Sequence, residues 1–148
     1  MPTITAQHEE RIDAPAATVY GILADYCVGH PSILPEQYFG PLVVEAGGEG
    51  EGTVIRFTMK AMGREHTVRA RITEPEPGRV LHETALENGA LTSFVVTPAG
   101  ENACTVSIRT QYAKSGVAGF IEKLMVPSFL QKVYRAELAK LRHVATHA

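Results

Sequence analysis

The sequence lacks several features that would assign it to a function class directly. It has two cysteines, Cys27 and Cys104, with no CxxC spacing, so we expect free thiols and a reducing, cytoplasmic setting. It has no run of lysines or arginines and a formal net charge of -2, which argues against nucleic acid or an anionic membrane as a partner. Because no stretch of about 18 apolar residues occurs, no membrane span is predicted. The first residues also lack the basic and apolar regions of a secretory signal.

The motifs of common catalytic and metal sites are missing as well. There is no Gly-x-Ser-x-Gly sequence of the kind that presents a nucleophilic serine. The glycine-rich segment 47–52 is not followed by the Lys and Ser/Thr of a phosphate-binding loop, so we interpret it as a connection. His143 and His147 lie four residues apart near the end of the chain, where they form either a tail or an adventitious metal site. We therefore expect neither a metal nor a cofactor.

The composition is typical of one α+β domain. With 148 residues, 45% of them hydrophobic and 20% charged, the chain is long enough to bury a core, and we assign residues 1–148 to a single domain. Residues 3–12 predict a first strand, and residues 38–46 predict a second one. Between them, prolines within residues 31–35 limit the chain to a short second helix or a loop after the first helix.

The first helix has recognisable start and stop signals. Asp13 can cap it, and Pro15 falls in its first turn, where the missing N–H has no cost. Asp25 follows the helix, and we expect its side chain to hold the next loop. The buried stripe of the helix is formed by Val19, Ile22, Leu23 and Tyr26.

A hairpin in the centre of the chain turns at residues 62–63. Residues 53–61 and 66–73 alternate apolar and polar side chains, as strands with one buried face do. A two-residue turn brings the two apolar faces together and pairs Lys60 with Glu65 on the outer face. The inner face is then formed by Ile55, Phe57, Met59, His66, Val68 and Ala70.

A second hairpin turns at residues 88–89, whose Asn-Gly sequence is a strong signal for a two-residue loop. An inward Glu83 would be a buried carboxylate, which is costly without a partner. We therefore predict that His82 and Thr84 face inward and that Glu83 faces outward. Phe94 would then also face outward, so either a bulge reverses it or it belongs to the surface of a homodimer.

A last strand and a long helix complete the pattern. In residues 104–112 the inward positions are Cys104, Val106, Ile108, Thr110 and Tyr112. From Ser115 to about Ala145, apolar residues recur mostly at steps of three and four, as on one face of a helix. Pro127 predicts a kink between segments 117–126 and 128–145, a candidate gate beside a cavity. The stripe comprises Phe120, Leu124, Leu130, Tyr134, Leu138, Leu141 and Ala145.

Three segments carry a resemblance to a known family: H-E-E-R-I-D-A-P-A-A-T-V-Y-G-I-L-A-D-Y, P-E-P-G-R-V-L and A-G-F-I-E-K-L-M-V-P-S-F-L-Q-K-V-Y-R-A-E-L-A-K-L-R. Through them the chain resembles the SRPBCC superfamily of START lipid-transfer domains, plant allergen-type carriers and polyketide cyclase/dehydrase-like proteins. The resemblance implies an α+β helix-grip fold, with a seven-stranded curved antiparallel sheet around a long C-terminal helix and two short helices after strand 1. Since the superfamily includes both carriers and enzymes, the resemblance does not imply one activity.

A sheet that grips a long helix tends to leave a hollow, which we expect to bind a small hydrophobic molecule. The first hypothesis is a carrier or sensor. The alternative is a cyclase, dehydratase or isomerase in which His66 or His82 moves a proton, and a third possibility is a protein-interaction module. Either histidine can instead bond a backbone carbonyl, and Tyr26 and Tyr112 can simply fill space. The expected ligand-binding residues are Tyr26, Phe57, Met59, His66, Val68, His82, Thr84, Val106, Thr110, Tyr112, Phe120, Leu124 and Phe129.

Overall fold

The computed structural model describes residues 3–148, which form one antiparallel sheet and three helices. The strands are β1 (Thr3–Ile12), β2 (Val43–Ala46), β3 (Val54–Ala61), β4 (Arg64–Glu76), β5 (Val80–Ala85), β6 (Leu91–Pro98) and β7 (Cys104–Ala113). The helices are α1 (Ala16–Ala24), α2 (Gly29–Ile33) and α3 (Gly116–Thr146). The sheet order is β1-β7-β6-β5-β4-β3-β2, and α3 packs against β1, β7, α1 and α2. The predicted helix-grip fold is confirmed.

The central hairpin has the predicted register. Strands β3 and β4 pair Phe57 with Val68 and Lys60 with Glu65. Both residues of the turn have left-handed backbone angles, with φ of 54° at Met62 and 73° at Gly63. This is the conformation of a tight type I′ hairpin turn, which matches the twist of the strands it joins. The inner face of the hairpin is therefore the one that the sequence predicted.

The second hairpin differs from the prediction. His82 pairs with Ser93, whereas a two-residue turn at residues 88–89 would pair it with Val95. The Asn88 side chain accepts a hydrogen bond from the Ala90 N–H (3.0 Å), and this bond stabilises a longer loop.

The inner face of this hairpin is also opposite to the predicted one. Leu81 and Phe94 are 0% and 2% exposed, so they and Glu83 face the helix, whereas His82 and Thr84 face away. The prediction of an inward His82 and Thr84, with Phe94 outward on a dimer surface, is wrong. It failed because Glu83 accepts a hydrogen bond from the buried Tyr26, which lies outside the sheet, and strand pairing alone does not reveal this partner.

The loop after α1 is held by a side chain, as predicted. Asp25 accepts hydrogen bonds from the backbone N–H groups of residues 27–29 at 3.0–3.2 Å. At the other end of α1, Asp13 is not a cap. It pairs with Arg11 at 3.2 Å, and the helix begins after Pro15 without a side-chain capping bond.

The glycine-rich segment 47–52 is a connection that fixes Tyr26. The Tyr26 N–H donates to the Gly48 carbonyl (2.9 Å), and the Gly50 N–H donates back to the end of α1. Gly50 has a φ of 59°, and a Cβ there would collide with the carboxylate of Glu74. A larger residue at Gly50 would therefore strain the backbone and displace the Glu74 side chain.

Helix α3 is continuous through Pro127, so the two predicted segments form one helix of 31 residues. No helix within residues 3–148 has the length and apolarity needed to cross a membrane. The part after Pro127 buries its apolar stripe in the core: Leu130, Val133, Tyr134, Leu138, Leu141 and Ala145. The part before it exposes Val117, Phe120, Ile121, Leu124 and Met125.

This contrast predicts a difference in stability between two matched substitutions on α3. Leu138 is fully buried, whereas Leu124 is 68% exposed. Leu138→Ala should lower the free energy of unfolding by about 2–5 kcal/mol, because it leaves a cavity in the core. Leu124→Ala should change it by less than about 0.5 kcal/mol. Chemical denaturation of both variants measures the difference, and equal losses would show that the two halves of α3 are packed alike.

Candidate functional site

A cavity of about 880 Å³ lies between the inner face of the sheet and α3. Its mouth lies at the tips of the two hairpins and the end of β7, where His66, Asn88 and Lys114 are exposed. Its closed end is formed by buried residues, among them His30 and Glu137. The walls between are largely apolar and include Ile55, Phe57, Met59, Val68, Phe129 and Leu130.

A row of polar groups crosses the sheet at the closed end. Glu83 pairs with Thr92, and Thr92 pairs with Thr110, so the three residues are cross-strand neighbours on β5, β6 and β7. The Thr92 and Thr110 hydroxyls are 2.8 Å apart. Thr110 also hydrogen-bonds the Tyr134 hydroxyl on α3, so the row continues from the sheet to the helix.

Glu83 is held by two side chains from the segment around α2. The Tyr26 hydroxyl donates a 2.6 Å hydrogen bond to Glu83 Oε2, and His30 Nε2 lies 3.5 Å from the same oxygen. His30 Nδ1 donates to the Leu23 carbonyl (2.7 Å), which orients the ring. Tyr26 stacks on that ring with centroids 4.4 Å apart. Burial, together with the charge of Glu83, raises the pKa of Tyr26 well above its usual value, so its hydroxyl stays a donor.

Glu137 brings a second carboxyl group to the closed end. It lies one helical turn after Tyr134 and is only 3% exposed. Within residues 3–148 its carboxyl makes no hydrogen bond, although it borders the cavity. Burial raises the pKa of Glu137 well above its usual range, and the charge of Glu83 raises it further. Glu137 therefore retains its proton at a pH where an exposed glutamate has lost it.

A separate polar group closes one side of the mouth. The Tyr112 hydroxyl donates to Glu122 Oε1, and Lys114 Nζ pairs with Glu122 Oε2, both at 2.7 Å. These contacts join the end of β7 to the start of α3. The bond from Lys114 outweighs partial burial and lowers the pKa of Glu122. Among residues 3–148, no cluster of three or more His, Cys, Asp or Glu side chains is arranged to hold a metal ion.

The structure places about half of the predicted ligand-binding residues on the cavity surface. His66 lies near the mouth, where it is exposed, and Thr110 lies at the closed end. The first hairpin, β7 and α3 contribute to this group. The predicted residues that line the cavity are Phe57, Met59, His66, Val68, Thr110, Tyr112 and Phe129.

The remaining predicted residues lie elsewhere. His82 and Thr84 face away because the other face of β5 is turned toward the cavity. Val106 is packed in the core. Phe120 and Leu124 are 64% and 68% exposed, because the stripe of α3 turns away from the sheet before Pro127. Tyr26 does not line the cavity, but its hydroxyl donates a hydrogen bond to Glu83, which does.

Sequence reasoning missed the buried polar groups: His30, Glu83, Thr92, Tyr134 and Glu137. A signal for Glu137 was available, since it lies seven residues after Leu130 and so falls on the apolar stripe of α3. For Glu83, the signal was the strongly apolar Phe94 on the same face of the hairpin. The contribution of His30 depends on tertiary packing of α2, and the local sequence does not encode it.

A sequence profile of the family described as "Polyketide cyclase / dehydrase and lipid transport" matches residues 3–146. The chain therefore belongs to this family. It is a member of the SRPBCC superfamily, as the resemblance of its motifs implied. No curated protein matches it significantly in sequence.

Several solved structures have the same fold as this family member. The KanY protein is 26% identical with a TM-score of 0.84, and the match covers 99% of both chains. Norcoclaurine synthase from Thalictrum flavum, in complex with dopamine and hydroxybenzaldehyde, is 20% identical with a TM-score of 0.73 over 99% of this chain and 88% of its own. The ZhuI aromatase/cyclase from Streptomyces sp. R1128 is 18% identical with a TM-score of 0.76, covering 98% of this chain and 94% of its own. At such identities the last two establish the fold alone.

The raised pKa of Glu137 predicts a pH-dependent stability. Between the ordinary pKa of the unfolded chain and the raised pKa of the folded one, the folded protein binds more protons. The contribution of Glu137 to stability is thus fully present below the ordinary glutamate pKa and is lost as the pH rises through the folded pKa. Glu137→Gln should remove this loss. As the pH rises, the melting temperature of the variant should therefore increase relative to that of the wild type.

Thermal unfolding of both proteins across the pH range measures this effect. Glu101→Gln, a substitution of an exposed glutamate outside the strands and helices, is the control and should follow the wild type. Parallel curves for wild type and Glu137→Gln would contradict a buried, protonated Glu137.

Proposed function

We propose that this protein binds a small hydrophobic molecule in the cavity between the sheet and α3, with the polar group of the ligand at the closed end. The observation that carries the proposal is the pairing of apolar walls with a few convergent polar groups. Ligand sites commonly have this composition, and their volumes are roughly 300–1,000 Å³. The volume of about 880 Å³ falls in this range.

Affinity in such a site comes mainly from burial of the apolar part of the ligand. Each Å² removed from water contributes about 25 cal/mol before the costs of ordering are subtracted. The polar groups at the closed end would set the orientation, because a ligand that placed an apolar atom there would cover the Glu137 carboxyl group without bonding it. A carrier or sensor needs no more than this.

The proposal predicts that filling the cavity abolishes ligand uptake. Ala85 lines the cavity, and its neighbour Thr84 faces the opposite side of the same strand. Ala85→Phe should weaken the binding of Nile red, a neutral hydrophobic dye, by about tenfold or more, since it occupies apolar volume near the mouth. Thr84→Phe is the matched control and should bind like the wild type.

Fluorescence titration measures dye binding, and native mass spectrometry of protein purified from its own host tests for a retained molecule. A wild-type protein that binds no dye and retains nothing would contradict the proposal. Equal binding by both variants would place the dye outside the cavity.

A second candidate function is catalysis of a dehydration or cyclisation, and the two carboxyl groups that border the closed end of the cavity favour it. In a dehydration, Glu83 would take a proton from the carbon beside a carbonyl group, and the carbon–carbon double bond would form as the carbon–oxygen bond breaks. The leaving hydroxyl would take the proton of Glu137 and depart as water. Pairs of carboxyl groups with separated pKa values divide acid and base roles in this way.

This candidate predicts slow dehydration of an aryl β-hydroxy ketone, seen as growth of the enone absorbance. Glu83→Gln and Glu137→Gln should each lower the rate by about 100-fold or more. His82→Ala, which alters a histidine on the outer face, should leave the rate unchanged, and His66→Ala tests the histidine at the mouth. An unchanged rate in both glutamine variants, or no turnover by the wild type, would remove this candidate.

A further inference from the structure

One residue at the closed end, Glu137, presents its carboxyl group to the cavity. Glu137 is 3% exposed, borders the cavity and has no hydrogen-bond partner within residues 3–148. Among the described residues no fully enclosed side-chain oxygen lacks a hydrogen-bond partner, so the Glu137 carboxyl group is open to the cavity, where a ligand can bond it. Glu137 is thus the group that a bound molecule would meet first at the closed end.

The charges around Glu137 indicate what that molecule must carry. The groups that face this end with Glu137 are Glu83 from β5, His30 from α2 and Tyr134 from α3 itself, and Tyr26 from the preceding loop bonds Glu83 without lining the cavity. Of these five groups two, Glu83 and Glu137, are carboxyls and, in the described part of the chain, none is a lysine or arginine. The nearest lysine along the helix, Lys140, bonds the Leu34 carbonyl (3.2 Å) instead.

The cations of the cavity lie at its exposed mouth. Lys114 is paired with Glu122 (2.7 Å), and Arg69 is paired with Glu45 (2.8 Å). Arg64 lies at the start of β4 and is exposed. These cations are either paired with other carboxylates or exposed to water, so they do not neutralise the carboxyl groups at the closed end.

Aromatic rings complete the surroundings of the two carboxyl groups. Tyr26 stacks on His30, and Phe94 meets the same imidazole edge-on with centroids 5.3 Å apart. Tyr134 adds a further ring from α3. Aromatic faces attract organic cations, and this attraction is strongest where water is excluded.

We propose that the cavity is selective for a hydrophobic primary amine, whose ammonium group binds between Glu83 and Glu137 while its apolar body lies along the cavity walls. This inference rests on the proposed ligand-binding function and names the chemical class of its ligand. An ammonium group offers three donors to the two carboxyl groups, whereas a hydroxyl offers one and a carboxylate offers none. A carboxylate ligand would also place a second negative charge beside that of Glu83.

Amine binding should release a proton. In the empty cavity Glu137 holds its proton because of burial and the charge of Glu83. A bound ammonium stabilises the ionised carboxylate and thereby lowers the pKa of Glu137. The affinity for the amine should consequently rise with pH until the pH passes the raised pKa of Glu137 in the empty protein.

The test compares octylamine, octanol and octanoate, which share an apolar body and differ in charge. Isothermal titration calorimetry of the wild-type protein should give octylamine at least about tenfold tighter binding than octanol, with octanoate weakest. Titration in two buffers of different ionisation enthalpy should detect proton release with octylamine alone. Glu137→Gln should abolish both the proton release and most of the amine preference, while Glu101→Gln should keep both.

The outcomes separate this inference from the proposed function. If octanol or Nile red binds but octylamine is not preferred, the amine inference is overturned and the ligand-binding function stands. If octanoate binds best, the amine inference is likewise overturned. If the protein binds neither the three octyl compounds nor the dye, both proposals fail. Circular dichroism of Glu137→Gln, and its binding of octanol, confirm that the variant is folded.

Discussion

The hydrogen bond from the Tyr26 hydroxyl to Glu83, 2.6 Å long, determines how the sheet is oriented around the cavity. With this donor, and His30 3.5 Å away, a carboxylate can be buried on β5. Once Glu83 faces inward, Phe94 and Thr92 must do so on the paired strand. The Gly48 carbonyl in turn fixes Tyr26 through its backbone N–H (2.9 Å), so a loop far along the chain supports the closed end.

Helix α3 divides the molecule into a packed half and a hollow half. After Pro127 its side chains complete the core with residues of α1, α2 and β1, as the burial of Leu138 and Leu141 indicates. Nearer the mouth, apolar side chains of α3 are exposed and the sheet faces a cavity instead of a helix stripe. The fold can therefore stay stable while the cavity residues vary, which fits a family that spans cyclases, dehydrases and lipid transport.

Much of the fold, but only part of the site, could be predicted from the sequence. The first hairpin was predictable because its turn and its apolar alternation agree on one register, which the pairing of Phe57 with Val68 confirms. The second hairpin was not, because the cost of burying Glu83 cannot be judged without the position of Tyr26. Glu137 could have been recognised as a polar residue on the buried stripe of α3. The groups that face Glu137 are brought there by tertiary packing, and no local sequence pattern encodes their positions.

Both the proposed binding and the proposed chemistry depend on a buried Glu137 that keeps its proton at the closed end of the cavity. The most direct measurement is a pH titration of the side-chain carboxyl carbons by NMR, with Glu137 assigned by comparison with Glu137→Gln. The Glu137 signal should titrate well above the usual range of glutamate, because burial and the charge of Glu83 both oppose its ionisation. A Glu137 signal that titrates like that of an exposed glutamate would mean that water reaches the carboxyl group, and it would contradict the account.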